Sequence, residues 1–205
     1  MKTKTSTLKN TILIAALMAA IPAGHAQPST ADFKTEPDKT MAAAHESFVK
    51  GDMNKAGDQI KQAAAYVTKQ SDKVAAGSKA GMKKAGNELD KLGDDVKAGT
   101  VKSGDALKKT FAKVDHETAN CWHKTAAESK QAGKDSTAAL KQAGAGLEGA
   151  AKWSGHELSA GTKASVNGLK KAGEATGAGV KAGAKQVDKW FKGIGDGIDD
   201  LGHKL

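Results

Sequence analysis

Between His116 and His123 the chain concentrates the side chains best suited to chemistry: His116-Glu117-Thr118-Ala119-Asn120-Cys121-Trp122-His123. The two histidines are seven residues apart, which on a helix puts them on one face. Imidazole and thiolate bind zinc or copper, so His116, Cys121 and His123 form a candidate metal site. A structural zinc site takes four ligands, and the chain has no second Cys, no CxxCH and no HExxH. A partly exposed His pair beside a small hydrophobic thiol accounts for the same residues. No nucleophile elbow or phosphate loop occurs elsewhere. Gly193-Ile194-Gly195 is a chance GxG, with no strand before it. The sequence reads as non-enzymatic, with no catalytic residue and no cofactor.

What would position these residues is a helical system with an eleven-residue beat. Val74, Ala85, Val96, Leu107, Thr118, Ser129 and Leu140 fall at steps of eleven. After a slip of seven, Leu147, Leu158, Leu169, Val180 and Phe191 resume it. Eleven residues in three turns is about 3.67 per turn, so one face stays nearly aligned over a long distance. Against this pattern stand 21 glycines between Gly77 and Gly202. Each costs about 1 kcal/mol relative to Ala inside a helix, so the sum is on the order of 20 kcal/mol. The pattern asks for helices that order only when their stripe is covered.

Composition narrows the class. Aromatic residues make up 4% of the chain and much of the apolar content is Ala, so a thick core is not expected. Lysine supplies every basic charge and Arg is absent. Lysine is a mobile, hydrated point charge rather than a planar fork, which argues against specific phosphate or base readout and leaves diffuse attraction to anionic surfaces open. Residues 1–26 read as a signal peptide. Lys2, Lys4 and Lys9 precede a short apolar run from Ile12 to Ile21, with Gly24 and Ala26 at the cleavage positions. The protein is therefore expected to be exported, to a periplasm or to the medium, and nucleic acid is not an expected partner.

The fold class expected is all-α. Residues 27–37 read as a flexible linker, and a first helix starts near Pro37, which suits a first turn. Met41, Ala44 or His45, and Phe48 recur at helical spacing, and Gly51 and Asp52 can cap that helix and the next. Residues 38–73 thus form a helical hairpin. Residues 74–205 form the Gly-rich, weakly amphipathic repeat region, partly disordered or loosely packed in water. It ends in an amphipathic helix at 188–205. The pairs Gly77/Gly81, Gly173/Gly177, Gly179/Gly183 and Gly193/Gly197 have GxxxG spacing and offer close packing in a soluble bundle.

Lys97, Lys108, Lys141, Lys170, Lys181 and Lys192 each follow a stripe residue, about 100° round the helix. There a lysine stem can lie on hydrocarbon while its ammonium reaches headgroups. In the tail, Trp190, Phe191, Ile194, Ile198 and Leu201 line one side, which suits either an interfacial helix or a terminal helix docked on the rest. These lysines and tail residues are the candidate lipid-surface site.

Units with Lys-Ala-Gly at their front recur, clearest at 96–99, 140–144, 169–173 and 180–183. In this the chain resembles the repeats of group 3 late-embryogenesis-abundant proteins and, more loosely, of synucleins. The resemblance implies helices that form on drying or on anionic lipid. Three readings follow. The first is an exported, non-enzymatic helical protein on a membrane or envelope surface, with a stress-protective role. The second is a soluble helical bundle that engages a helical protein partner. The third is a periplasmic metal-binding protein. A lone Cys in an oxidising compartment also permits a homodimer through Cys121.

Overall fold

A computed structural model describes residues 32–174 and 183–205. The signal segment 1–26 and, from the candidate residues, Lys181 lie outside the described residues, as do Val180, Gly177 and Gly179. Among the described residues the chain is all-α. The helices are α1 (Asp32–Val49), α2 (Met53–Gln70), α3 (Lys79–Lys97), α4 (Gly104–Gln131), α5 (Thr137–Ser154), α6 (Ala160–Glu174) and α7 (Ala184–Gly202), with a single 3-10 turn, Ala76–Ser78, ahead of α3.

The first helix begins at Asp32, earlier than the Pro37 start expected, so residues 32–37 are helix rather than linker. Pro37 is the sixth residue of α1, past the four N–H groups that lack an intrahelical acceptor, so it costs the helix one backbone hydrogen bond. At the other end Gly51 adopts φ +83°, a left-handed cap that a side chain would strain, and Asp52 accepts from the Lys55 N–H at 3.1 Å to start α2. The α1–α2 turn thus has the cap pair that its sequence asks for.

Beyond α2 the chain keeps folding back instead of running as extended rods. Gly99, Gly133 and Gly155 all have positive φ. A short polar residue follows each within a few positions. Ser103 accepts from the Ala106 N–H at 3.2 Å, Asp135 from Thr137 at 2.8 Å and Ser159 from Thr162 at 3.2 Å. A left-handed stop followed by an N-terminal cap ends one helix and begins the next without any proline.

The stripe residues fill the interior of this bundle. Val74, Ala85, Val96, Leu107, Thr118, Leu140, Leu147, Leu158 and Leu169 are all buried, with Ser129 and Phe191 partly so. One contiguous apolar cluster takes in side chains of all seven helices, with Phe111, Met41, Ile60, Leu89, Leu107 and Ile194 among its fully enclosed members.

Glycine lets thin helices come close enough to share that core. In the antiparallel α2–α3 pair, Gly57-Asp58-Gln59-Ile60-Lys61 faces Gly93-Asp94-Asp95-Val96-Lys97. The Lys97 stem lies across bare Gly57 and its ammonium reaches Asp58, while the Lys61 stem lies across Gly93 and reaches Asp94 at 2.7 Å. The two segments make the same contact in opposite directions. Of the GxxxG residues, Gly193 and Gly197 face Ser165 and Thr162 of α6, and Gly81 faces Cys121 of α4.

Candidate functional site

The histidines of α4 do share a face, and that face is covered by α7. His116 Nε2 lies 2.8 Å from the Ile198 carbonyl oxygen and His123 Nε2 lies 3.1 Å from that of Phe191. A carbonyl only accepts, so each Nε2 carries the proton and donates. Gly202 and Gly195, each four residues beyond the carbonyl gripped, leave room for the rings. A Cβ there would stand 3.1 Å from His116 Nε2 and 3.2 Å from His123 Cε1. The His123 ring also stacks on Phe191, with centroids 4.2 Å apart.

Cys121 stands five residues from His116 and two from His123, which turns it to another side of the helix. Its Sγ sits over Gly81 of α3 and is 3.9 Å from Glu117 Oε1. The thiol is 3% exposed, and burial, then the charge of Glu117, push its pKa up to about 11. His116, Cys121 and His123 are therefore not brought together as ligands, which corrects the candidate metal site. Among the described residues no group of three His, Cys, Asp or Glu side chains could hold a metal ion. A disulfide through Cys121 would require α3 to leave α4.

Burial holds the His123 pKa below 6.5, against the smaller upward pulls of its hydrogen bond to Phe191 and of Asp199. A base with a lowered folded pKa contributes its full stability above pH 6.5 and loses it as pH falls through the folded value. His123→Gln removes that titration. The wild-type protein is expected to lose melting temperature relative to this variant as pH drops below 6.5, and parallel pH profiles would contradict it.

The tail does not present its apolar side as a free surface. Trp190 (6% exposed), Ile194, Ile198 and Leu201 are buried between α7 and the rest, and Phe191 is half-buried against His123. Gly168 of α6 lies under the Trp190 indole. In the folded protein these apolar side chains face the core, since burying the stripe in protein satisfies the same apolar area that a lipid surface would cover. Among the described residues the border lysines stand outside the core, several in ion pairs: Lys97 with Asp58, Lys108 with Asp105 at 3.5 Å, Lys170 with Glu148 at 2.5 Å and Lys192 with Asp196 at 2.6 Å. Lys141 is half-buried.

One place gathers basic side chains from distant parts of the chain. A groove of about 560 Å³ lies where the start of α4, the end of α5 and the last residues meet. Lys108 and Lys109 come from α4, Lys152 and His156 from the end of α5 and the loop after it, and Lys204 from beyond α7, with Asp105 the single acid of the lining. The left-handed turn at Gly155 brings His156 round to the rim. Trp153 forms part of the wall. Phe111 holds it edge-on at 5.0 Å, and Lys152 Nζ lies 4.7 Å from its ring centroid. Lys108 and Lys204 are paired, the latter with Asp200 at 2.7 Å. Lys109 and Lys152 have no ion pair among the described residues.

None of the protein-family models, curated proteins or solved structures compared with this chain matches it. The groove has to be read from its own chemistry. It offers ammonium charges beside an indole, suited to holding an anionic group electrostatically. A neighbouring groove of about 610 Å³ shares Lys152 and His156 but adds Glu148 and Glu157, the latter paired with Lys163 at 2.9 Å, so its charge is largely balanced. Of the basic groove, sequence reasoning picked out Lys108 alone. Lys109, Lys152, Lys204 and Trp153 carry no shared motif, and no local signal joins them.

Proposed function

We propose that this chain is an exported, non-enzymatic helical bundle that docks as a folded unit on an anionic membrane or envelope surface. The observation that carries the reading is the groove in which four lysines and a histidine face a single aspartate. Lysine ammoniums near an anionic leaflet contribute about 1 kcal/mol each, without specific geometry, and the attraction is screened by salt. Docking of this kind leaves the stripe residues in the core. Among the described residues no helix is long and apolar enough to cross a membrane. A stress-protective role then acts from the surface of the envelope.

The test is co-sedimentation with phosphatidylglycerol vesicles at low salt, with phosphatidylcholine vesicles as the uncharged comparison. Binding is expected to the anionic vesicles only, with unchanged helicity. It should fall by about tenfold or more in Lys109→Glu/Lys152→Glu, since about 1 kcal/mol per lysine is roughly fivefold. Lys83→Glu, on exposed α3 surface, is expected to weaken binding much less. Equal binding by the double variant sinks the groove reading, and no binding at all sinks the surface reading. A second reading, a soluble bundle serving as a protein-interaction module, draws support from the internal placement of the apolar stripes. It takes precedence if the folded protein ignores anionic vesicles.

A further inference from the structure

Two carboxyl groups meet inside the bundle at the place where α1 rests on α4 and α5. Asp115 projects from α4 and is 7% exposed, and its Oδ2 is buried without a hydrogen-bond partner in the structure. Asp38 projects from α1 toward the same point. A Cβ on Gly149 of α5 would stand 2.9 Å from Asp115 Cγ and 3.2 Å from Asp38 Oδ1, so the space that a side chain would fill holds both carboxyls. The walls are backbone: a Cβ on Gly146, one turn earlier, would lie 2.8 Å from the Asp115 carbonyl oxygen.

Two like charges in such a space repel, and burial penalises the Asp115 charge in addition. The charged groups facing Asp115 are Asp38 from α1 and Lys152 from α5. Burial first, then the charge of Asp38, push the Asp115 pKa well above 3.8, and Lys152 only partly opposes them. The contact is also placed where it can matter. α1 packs mainly on α2 and meets α4 and α5 over a smaller area, through this pair and through His45, whose ring lies 6.0 Å from that of Trp153.

We propose that Asp38 and Asp115 form a proton-operated latch, in which one proton held between the two carboxyls keeps α1 seated on α4 and α5. Loss of that proton to solvent leaves Asp115 charged in its enclosed site beside half-buried Asp38, and α1 lifts to hydrate it. Lifting α1 also uncovers the His45 side of Trp153, beside the basic groove. The latch does not depend on what the groove binds.

The sign follows from linkage. An acid whose folded pKa is raised binds more protons folded than unfolded, so stability falls as pH climbs from 3.8 through the raised value, then levels off. For one proton the opening constant of α1 rises by up to about tenfold per pH unit in that window.

The test is hydrogen–deuterium exchange of α1 amides in the full chain between about pH 4 and about pH 8, corrected for base-catalysed intrinsic exchange. In the wild type, α1 protection is expected to drop steeply as pH rises while α6 and α7 show no such loss, α7 gaining protection instead as His123 loses its charge. Asp115→Asn, a neutral isostere, should flatten the profile; should it fail to fold, Asp38→Asn serves instead and should end the fall at a lower pH, because the burial of Asp115 remains when the neighbouring charge is gone. Parallel profiles in wild type and variant overturn the latch. So does a pH-dependent loss spread equally over α1, α6 and α7, which would mark global unfolding instead.

Discussion

Ile194→Ala is expected to destabilise the whole protein by about 2–5 kcal/mol, the range for emptying a buried aliphatic site. Ile194 is fully enclosed, and a Cβ on Gly144 of α5 would meet its Cδ1 at 3.4 Å. A chain of this size loses about 2–4 °C per kcal/mol, so the melting temperature should fall on the order of ten degrees. The fall should appear in one cooperative transition, because α7 shares its core with α4, α5 and α6. Thermal circular dichroism in plain buffer checks it. Val49→Ala is the comparison: Val49 is 68% exposed, and a change there is expected within about 0.5 kcal/mol. A tail that faced lipid would give both variants the same melting temperature as wild type.

That contrast marks how far the residues themselves could be read. Stepping by eleven picks out side chains such as Val96, Leu107, Leu140 and Leu169, and each of these is buried. Apolar periodicity reports which face seeks cover and is silent on what supplies it. Lipid, a partner helix and the chain's own other helices satisfy the same stripe. The decisive signals were the stops: Gly99 before Ser103, Gly133 before Asp135 and Gly155 before Ser159. In a sequence with 24 glycines these are hard to tell from glycines inside helices, such as Gly57 and Gly144. His116 and His123 were legible as one face of a helix, but the carbonyls they grip belong to residues 191 and 198, far along the chain. The basic groove was illegible for the same reason, since Lys109, Lys152 and Lys204 meet only after the fold brings three segments together.

Gly93→Ala is the sharper test of whether glycine weakens these helices or builds them. Propensity alone favours the substitution by about 1 kcal/mol, since alanine is the better helix former. Packing opposes it. A Cβ on Gly93 would stand 2.9 Å from the Gly57 carbonyl oxygen and 2.6 Å from Lys61 Cγ. The lysine stem can swing away, but the carbonyl is part of α2 and moves only with the helix. Overpacking of this kind costs about 1–3 kcal/mol, and parting the helices also loosens Lys61–Asp94 and Lys97–Asp58. The expected net result is a loss of stability, with a similar loss for Gly57→Ala, whose Cβ would meet the Gly93 carbonyl oxygen at 2.7 Å. The two variants together should lose less than the sum, because once the helices have parted for one methyl the second meets little resistance. Gly161→Ala supplies the opposite sign: on exposed α6 surface, with Ser159 Oγ no nearer than 4.0 Å, it should raise the melting temperature. Urea titrations of the four variants decide the matter. If Gly93→Ala and Gly57→Ala stabilise as Gly161→Ala does, the α2 and α3 backbones are not in contact and the bundle is looser than described.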